Sequence, residues 1–238
     1  MKASYLNKIS IIIFVKPSLR AVHRGTETKG PSLIANFEAA MKVFDFDNTL
    51  YRGESSIDLS FYMVRYNRRI LLYVPTILIS LVRYKMCLME KSEIEKLIND
   101  FFADVLTNSG NESDLISSFW ETHAHKLNRR LLDLIEPEDV IMTASPSFLL
   151  DGIRSRLNTD QIICTEVDVD EKKITWFNFG ENKAVRFRDL YGDRKIDEFY
   201  TDSYNDRALM KLARRVYIVK KGIPHRVSRK HRKKLRLQ

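Results

Sequence analysis

Val43-Phe44-Asp45-Phe46-Asp47-Asn48-Thr49-Leu50 is the stretch on which the fold of this chain turns. An apolar run carries two aspartates, spaced i and i+2, to the point where the run gives way to a polar turn. On an extended backbone, side chains two residues apart leave on the same side. The pattern predicts two carboxylates facing one small volume at the carboxyl end of a strand, where open α/β sheets hold their sites. Carboxylates that close repel unless a cation neutralises them or one keeps a proton. Taken alone, the stretch reads equally as an edge strand entering an Asp/Asn turn.

Upstream, Lys2 and Lys8 precede a short apolar run at residues 9–15, followed by a Gly-, Ser- and Pro-containing linker up to Met41. The run is too short to span a bilayer and lacks a small-residue cleavage site. Residues 1–40 therefore read as a poorly ordered or mis-assigned extension, with Met41 as the natural start. The 238 residues suffice for one sizeable core with an inserted subdomain, and 44% hydrophobic with 30% charged residues is a soluble composition. Of the net charge of +9, the segment from Lys220 onward holds nine basic residues and no acid, and residues 1–40 come to +4. The body, residues 41–219, is left at about −4. The basic pI belongs to the ends, so it does not point to a nucleic-acid-binding fold. Cys87 and Cys164 are too few for a disulfide framework, which predicts a reducing, cytoplasmic location.

Downstream, residues 51–136 have helical spacing. Ser55 and Ser56 are candidate N-caps for a helix carrying Ile57, Leu59, Phe61, Met63 and Val64. Ser92 and Glu95 have capping-box spacing ahead of Ile94, Leu97, Ile98, Phe101, Phe102 and Val105. Leu115, Ile116, Phe119, Trp120, His123 and Leu127 repeat the pattern. His123 and His125, two apart on a helix, point to different faces and make poor joint metal ligands. Residues 70–82 are apolar on nearly every face, contain Pro75 and are flanked by Arg68, Arg69, Arg83 and Lys85. They read as a buried helix at the centre of this subdomain, or as a segment at the periphery of a membrane with its cations on lipid phosphates.

Beyond Glu136-Pro137-Glu138 the pattern alternates between strand and helix. Strands are expected at 140–142, 161–165, around Phe199-Tyr200 and at 216–219, with a hairpin over 166–176 and helices after Ser147, after Asn182 and over 207–213. This alternation predicts an α/β fold built on a doubly wound parallel sheet. The boundaries expected are a core of residues 41–50 and 137–222, a helical cap at 51–136, and a basic, solvated C-terminal tail at 223–238.

Polar groups fall at strand ends and helix starts throughout this α/β body. Asp45-Phe46-Asp47-Asn48-Thr49, Thr143, Lys183 and Asp202-Ser203-Tyr204-Asn205-Asp206, in that order, resemble the four motifs of the haloacid dehalogenase superfamily. The resemblance covers about residues 41–220. It implies a Rossmann-like sheet with an inserted cap, and hydrolysis of a phosphomonoester through an aspartyl-phosphate. Asp45 would be the nucleophile, and Asp47 the acid that protonates the leaving group and then the base for water. An aspartate at the second position favours phosphate chemistry over dehalogenation. Thr143, Lys183 and Asn205 would hold the phosphate. The resemblance also implies Mg²⁺, bound by Asp45, the backbone carbonyl of Asp47 and Asp202, with Asp206 orienting a metal-bound water.

The short helical cap resembles the phosphoserine-phosphatase-like branch, in which Glu54 matches a substrate-contacting glutamate. Thr143-Ala144-Ser145 and Thr201-Asp202-Ser203 depart from that enzyme's Ser-Gly-Gly and Gly-Asp-Gly. Phosphatidylglycerophosphatases of the same branch are similar in the Arg-flanked segment 70–82, in Ala144-Ser145-Pro146 and in Asp202 to Asp206. The substrate thus stays open between a small phosphomonoester and a phospholipid head group at an anionic membrane surface. Two other classes remain: a phosphotransferase with an acceptor other than water, and a binding protein using its basic tail on membrane or RNA, nucleic acid being the less expected partner.

Overall fold

A computed structural model of the chain describes residues 40–66, 68, 70–85, 93, 96, 112–168, 171, 173–234 and 237. The expectations for residues 1–39, for the Ser92/Glu95 capping box and for the apolar set from Ile94 to Val105 lie outside the described residues.

β1 (Lys42–Phe44), β2 (Val140–Pro146), β3 (Ile162–Asp168), β4 (Lys173–Trp176), β5 (Ile196–Thr201), β6 (Ala213–Lys220) and β7 (Ile223–Arg226) form one sheet in the order β4-β3-β2-β1-β5-β6-β7. The pairs among β1, β2, β3, β5 and β6 are parallel, and β4 and β7 add antiparallel edges. Side chains alternate across these strands, so the core divides into two clusters. Phe44, Ile141, Tyr200 and Val219 face one way; Val43, Val140, Met142, Phe199 and Val216 face the other. The first face is covered by α5 (Ser147–Asp151) through Leu149 and Leu150 and by the inserted helices. The second is covered by α6 (Glu181–Tyr191) and α7 (Arg207–Met210) through Ala184, Phe187, Leu209 and Met210. Phe44, Tyr200 and Tyr217 stack across three neighbouring strands, with successive ring centroids 4.6 Å apart.

β1 is the pivot. The chain leaves it to one side through β2 and β3 and returns to its other side through β5 and β6. A crevice opens at the carboxyl end of a strand flanked in this way.

The insertion between β1 and β2 contains α1 (Ser55–Met63), α2 (Ile70–Lys85), α3 (Glu112–His123) and α4 (Arg129–Leu132). Its entry and exit are tied together: Tyr51 bridges Leu127, the Arg52 N–H donates to the Lys126 carbonyl at 2.9 Å, and the Asn128 N–H donates to the Leu50 carbonyl at 2.7 Å. α3 also rests on the core. The Trp120 indole N–H donates to the Leu149 carbonyl at 2.7 Å, and Gly152 lies against Ile116 and Trp120.

Three expectations change. The predicted buried helix over residues 70–82 lies within α2 but exposes Leu71, Leu72, Pro75 and Ile79, while among its described side chains Tyr73 is half-buried and Ser80 buried. The helix expected over 207–213 stops at Met210, since Ala213 already pairs with Ile196 as the start of β6. The sheet also continues beyond residue 222. β7 pairs with β6 and is followed by α8 (Arg229–Lys234), whose Arg232 donates to the Ala213 and Arg214 carbonyls, each at 2.7 Å, while Leu237 is buried. The boundary at 222 is therefore corrected, and most of the basic segment is docked. The run of cations masked an edge strand whose side chains face water.

Candidate active site

β1 ends at Phe44, and the Asp45 N–H donates to the Tyr200 carbonyl at 2.8 Å, keeping Asp45 in line with β1 and beside β5. The chain then turns: the Thr49 and Tyr51 N–H groups both donate to the Phe46 carbonyl, and Asn48 has φ 56°. The extended backbone expected to run from Asp45 to Asp47 is thereby corrected to a turn. The two carboxylates meet different partners.

Asp45 faces the buried cation Lys183, in the first turn of α6. The Lys183 ammonium lies 2.8 Å from Asp45 Oδ1 and 3.1 Å from Asp206 Oδ1. Thr201, the last residue of β5, donates its hydroxyl to Asp206 Oδ2 at 3.0 Å and lies 3.5 Å from Asp45 Oδ2. All four side chains are buried. One cation shared by two buried carboxylates leaves negative charge uncompensated. Burial, with Asp206 and Asp202 adding repulsion against the pull of Lys183, raises the Asp45 carboxyl well above the usual range. Burial opposes the charge on Lys183 too, but Asp206 and Asp45 overcome it and hold the ammonium above its ordinary value.

Asp47 is gripped from β2 and α1. Oδ1 accepts the Ser55 N–H at 2.6 Å, and Oδ2 accepts the Ser145 hydroxyl at 2.7 Å. Thr143, fully buried on β2, lies 3.4 Å from Oδ2 and accepts the Ser145 N–H at 3.0 Å. The expected caps Ser55 and Ser56 do not cap α1, because Asp47 supplies the acceptor its first N–H needs. Both hydroxyls lie 3.0 Å from Ser145 Oγ instead. Glu54, exposed at the N-cap position, accepts the Asn48 side-chain N–H at 2.8 Å.

Asp202 follows β5 directly, half-buried; Asn205 is exposed in the same loop, its N–H donating to Ser203 Oγ at 3.1 Å. The structure thus brings Asp45, Lys183, Asp206 and Thr201 into one cluster, with Asp202 acting on Asp45 electrostatically. Asp47, Thr143 and Ser145 form a second cluster on the β2 side. Asn205 and Glu54 are exposed and contact neither cluster through the hydrogen bonds given above. His123 stacks on Phe119.

Sequence reasoning missed two supports. Ser145 stands two residues from Thr143 on a strand, the spacing that puts both on one side. Asn178 donates to the Thr143 carbonyl at 2.9 Å and the Ile163 carbonyl at 3.0 Å, bracing β2 against β3, and nothing in its local sequence marks it. As for a metal, no three His, Cys, Asp or Glu side chains among the described residues are close enough to form a ready-made ion site. The donors around Asp45 are nonetheless all oxygen and carry excess negative charge, and this chemistry fits a hard divalent cation.

The model of the haloacid dehalogenase-like hydrolases matches residues 43–211. The chain belongs to that family. A protein with unknown function from Bordetella pertussis Tohama I shares the fold of this hydrolase, with TM-score 0.61 and 18% identity over 74% of this chain and 88% of that one. A phosphoserine phosphohydrolase-like protein from Francisella tularensis subsp. tularensis SCHU S4 aligns at TM-score 0.47 and 18% identity, over 75% and 86% of the two chains. A phosphoserine phosphatase with a phospho-aspartyl intermediate analogue aligns at TM-score 0.45 and 12% identity, again over 75% and 86%. Comparison with curated protein sequences gives no match.

Proposed function

We propose that this hydrolase is a phosphatase of the phosphoserine-phosphatase-like branch, cleaving phosphomonoesters through an aspartyl-phosphate. The observation that carries the reading is the buried Asp45–Lys183–Asp206 cluster at the carboxyl ends of the adjacent parallel strands β1 and β5. An Asp45 carboxylate oxygen bonds to phosphorus as the ester P–O bond breaks, and Asp47 gives its proton to the departing alkoxide. Water then attacks the aspartyl-phosphate and loses its proton to Asp47; the bond between phosphorus and Asp45 breaks, and inorganic phosphate leaves. Lys183 meets the negative charge brought by the phosphoryl group, while Thr143 and Asn205 are its hydrogen-bonding contacts. Asp45, the Asp47 carbonyl and Asp202 would hold Mg²⁺, with Asp206 acting on its water. When bound, the ion spreads charge from the phosphoryl oxygens.

The test is a screen of soluble and lipid phosphomonoesters with Mg²⁺, run beside Asp45→Asn. Phosphate release by the wild type, lost by about 10³-fold or more in the variant, is expected. Equal release by both proteins would overturn the reading. Transfer to an added alcohol in place of water would make the protein a phosphotransferase.

A second reading concerns where the substrate is met. Leu71, Leu72, Pro75, Ile79 and Arg83 are exposed on α2 at spacings that share one side of a helix, with Arg65 and Arg68 exposed ahead of it. An apolar stripe edged by cations suits an anionic membrane surface. It supports a phospholipid head group as the substrate alternative, with the protein at the membrane periphery. No described helix is long and apolar enough to cross a membrane.

A further inference from the structure

We propose that Ser145 is a positioning residue through which the cap helix α1 sets the orientation of the Asp47 carboxylate; the inference rests on the phosphatase reading given above. Ser145 sits on β2 of the core, whereas Ser55 and Ser56 open the first turn of α1 in the insertion. Ser145 and Ser55 are buried, so water does not substitute for either.

A serine hydroxyl has one proton and two lone pairs. Asp47 Oδ2, at 2.7 Å, accepts a hydrogen bond from the Ser145 hydroxyl whenever the carboxylate is ionised. The Ser145 oxygen then faces the Ser55 and Ser56 hydroxyls, each at 3.0 Å, as their acceptor. The other Asp47 oxygen takes the Ser55 N–H at 2.6 Å. One carboxylate oxygen is thus held by the cap directly. The other is held by a core hydroxyl that the cap grips twice. A shift of the first turn of α1 changes the direction of both bonds to Asp47, and Ser145 is the element that carries the shift to Oδ2. Its effect on turnover passes through Asp47 alone. Substrate affinity, set by other groups, stays where it is.

Steady-state kinetics of Ser145→Ala, Asp47→Asn and the double variant test this, with p-nitrophenyl phosphate as substrate. That leaving group needs little protonation, which keeps the Asp47→Asn rate measurable. Ser145→Ala is expected to lower kcat by about 10- to 100-fold, the range for losing a hydrogen bond to a charged group. KM should stay essentially constant, and the substitution should add nothing in the Asp47→Asn background. Ser55→Ala/Ser56→Ala, which frees Ser145 from the cap, should lower kcat in the same sense and stands in for Ser145→Ala should that variant not fold. A loss in Ser145→Ala that multiplies with that of Asp47→Asn, a change confined to KM, or unchanged kcat in the serine variants would overturn the proposal. Absence of turnover in the wild type would instead refute the phosphatase reading beneath it.

Discussion

Lys183 is the residue whose surroundings say most about the site, because its single charge faces two buried acids. Asp45, raised by burial and by Asp206 and Asp202, holds its proton more tightly in the native protein than in the unfolded chain. A carboxyl of this kind contributes stability below its unfolded value of about 3.9 and loses it as pH rises through the higher native value. In EDTA, the urea midpoint of the wild type is therefore expected to fall, relative to Asp45→Asn, as pH rises above about 4. Mg²⁺ should flatten the difference, since a cation beside Asp45 removes the cause of its shift. A wild-type midpoint that climbs relative to the variant across that window would contradict this account. Asp45, Lys183 and Asp206 were legible as a set because each stands at a strand end or helix start in a recognisable order. The different partners of Asp45 and Asp47 were not, since alternate spacing holds only while the backbone stays extended and this one turns at Phe46.

At the scale of elements, periodicity identified the parallel strands and, among the described residues, the inserted helices, but not how closely they approach. Apolar spacing from Leu115 to Leu127 predicted α3; the contact that seats it on α5 depends on a glycine. A Cβ at Gly152 would lie 2.9 Å from Trp120 Cδ1 and closer still to Ile116 Cγ2. Gly152 has φ −65°, so alanine is not strained there by its own backbone, and helix propensity alone would favour the change by up to about 1 kcal/mol. Overpacking opposes it by about 1–3 kcal/mol. Gly152→Ala is expected to be destabilising in urea unfolding, with the Trp120 environment perturbed in near-ultraviolet circular dichroism. A neutral or stabilising outcome would mean that α3 can move away from α5 at little cost. The edge strand β7 was illegible for a different reason: in Ile223–Arg226 only Pro224 is even half-buried, so apolar alternation had little to act on.

For the whole molecule, composition located the charge but not the surface it creates. The core body is mildly acidic, and the C-terminal cations are fastened to it by Arg232 and Leu237, so the basic segment is in large part a feature of the folded surface. The apolar stripe on α2 is the other surface feature, and Leu72, 76% exposed, is its extreme. Soluble proteins do expose single leucines, but Leu71, Leu72 and Ile79 share one helix side with Arg83, and Arg65 and Arg68 are exposed just ahead of the helix. Each arginine near an anionic surface contributes about 1 kcal/mol, and burying a leucine about 1.5–3 kcal/mol. The wild type is expected to sediment with vesicles containing phosphatidylglycerol and not with phosphatidylcholine alone, less strongly as salt is raised. Leu72→Glu should weaken that binding by about tenfold or more, from the lost burial alone, while hydrolysis of a soluble phosphomonoester continues, because the stripe lies outside both carboxylate clusters. Equal sedimentation of the two proteins would move the anionic attachment to α8. No sedimentation of either would leave the α2 stripe without a membrane role.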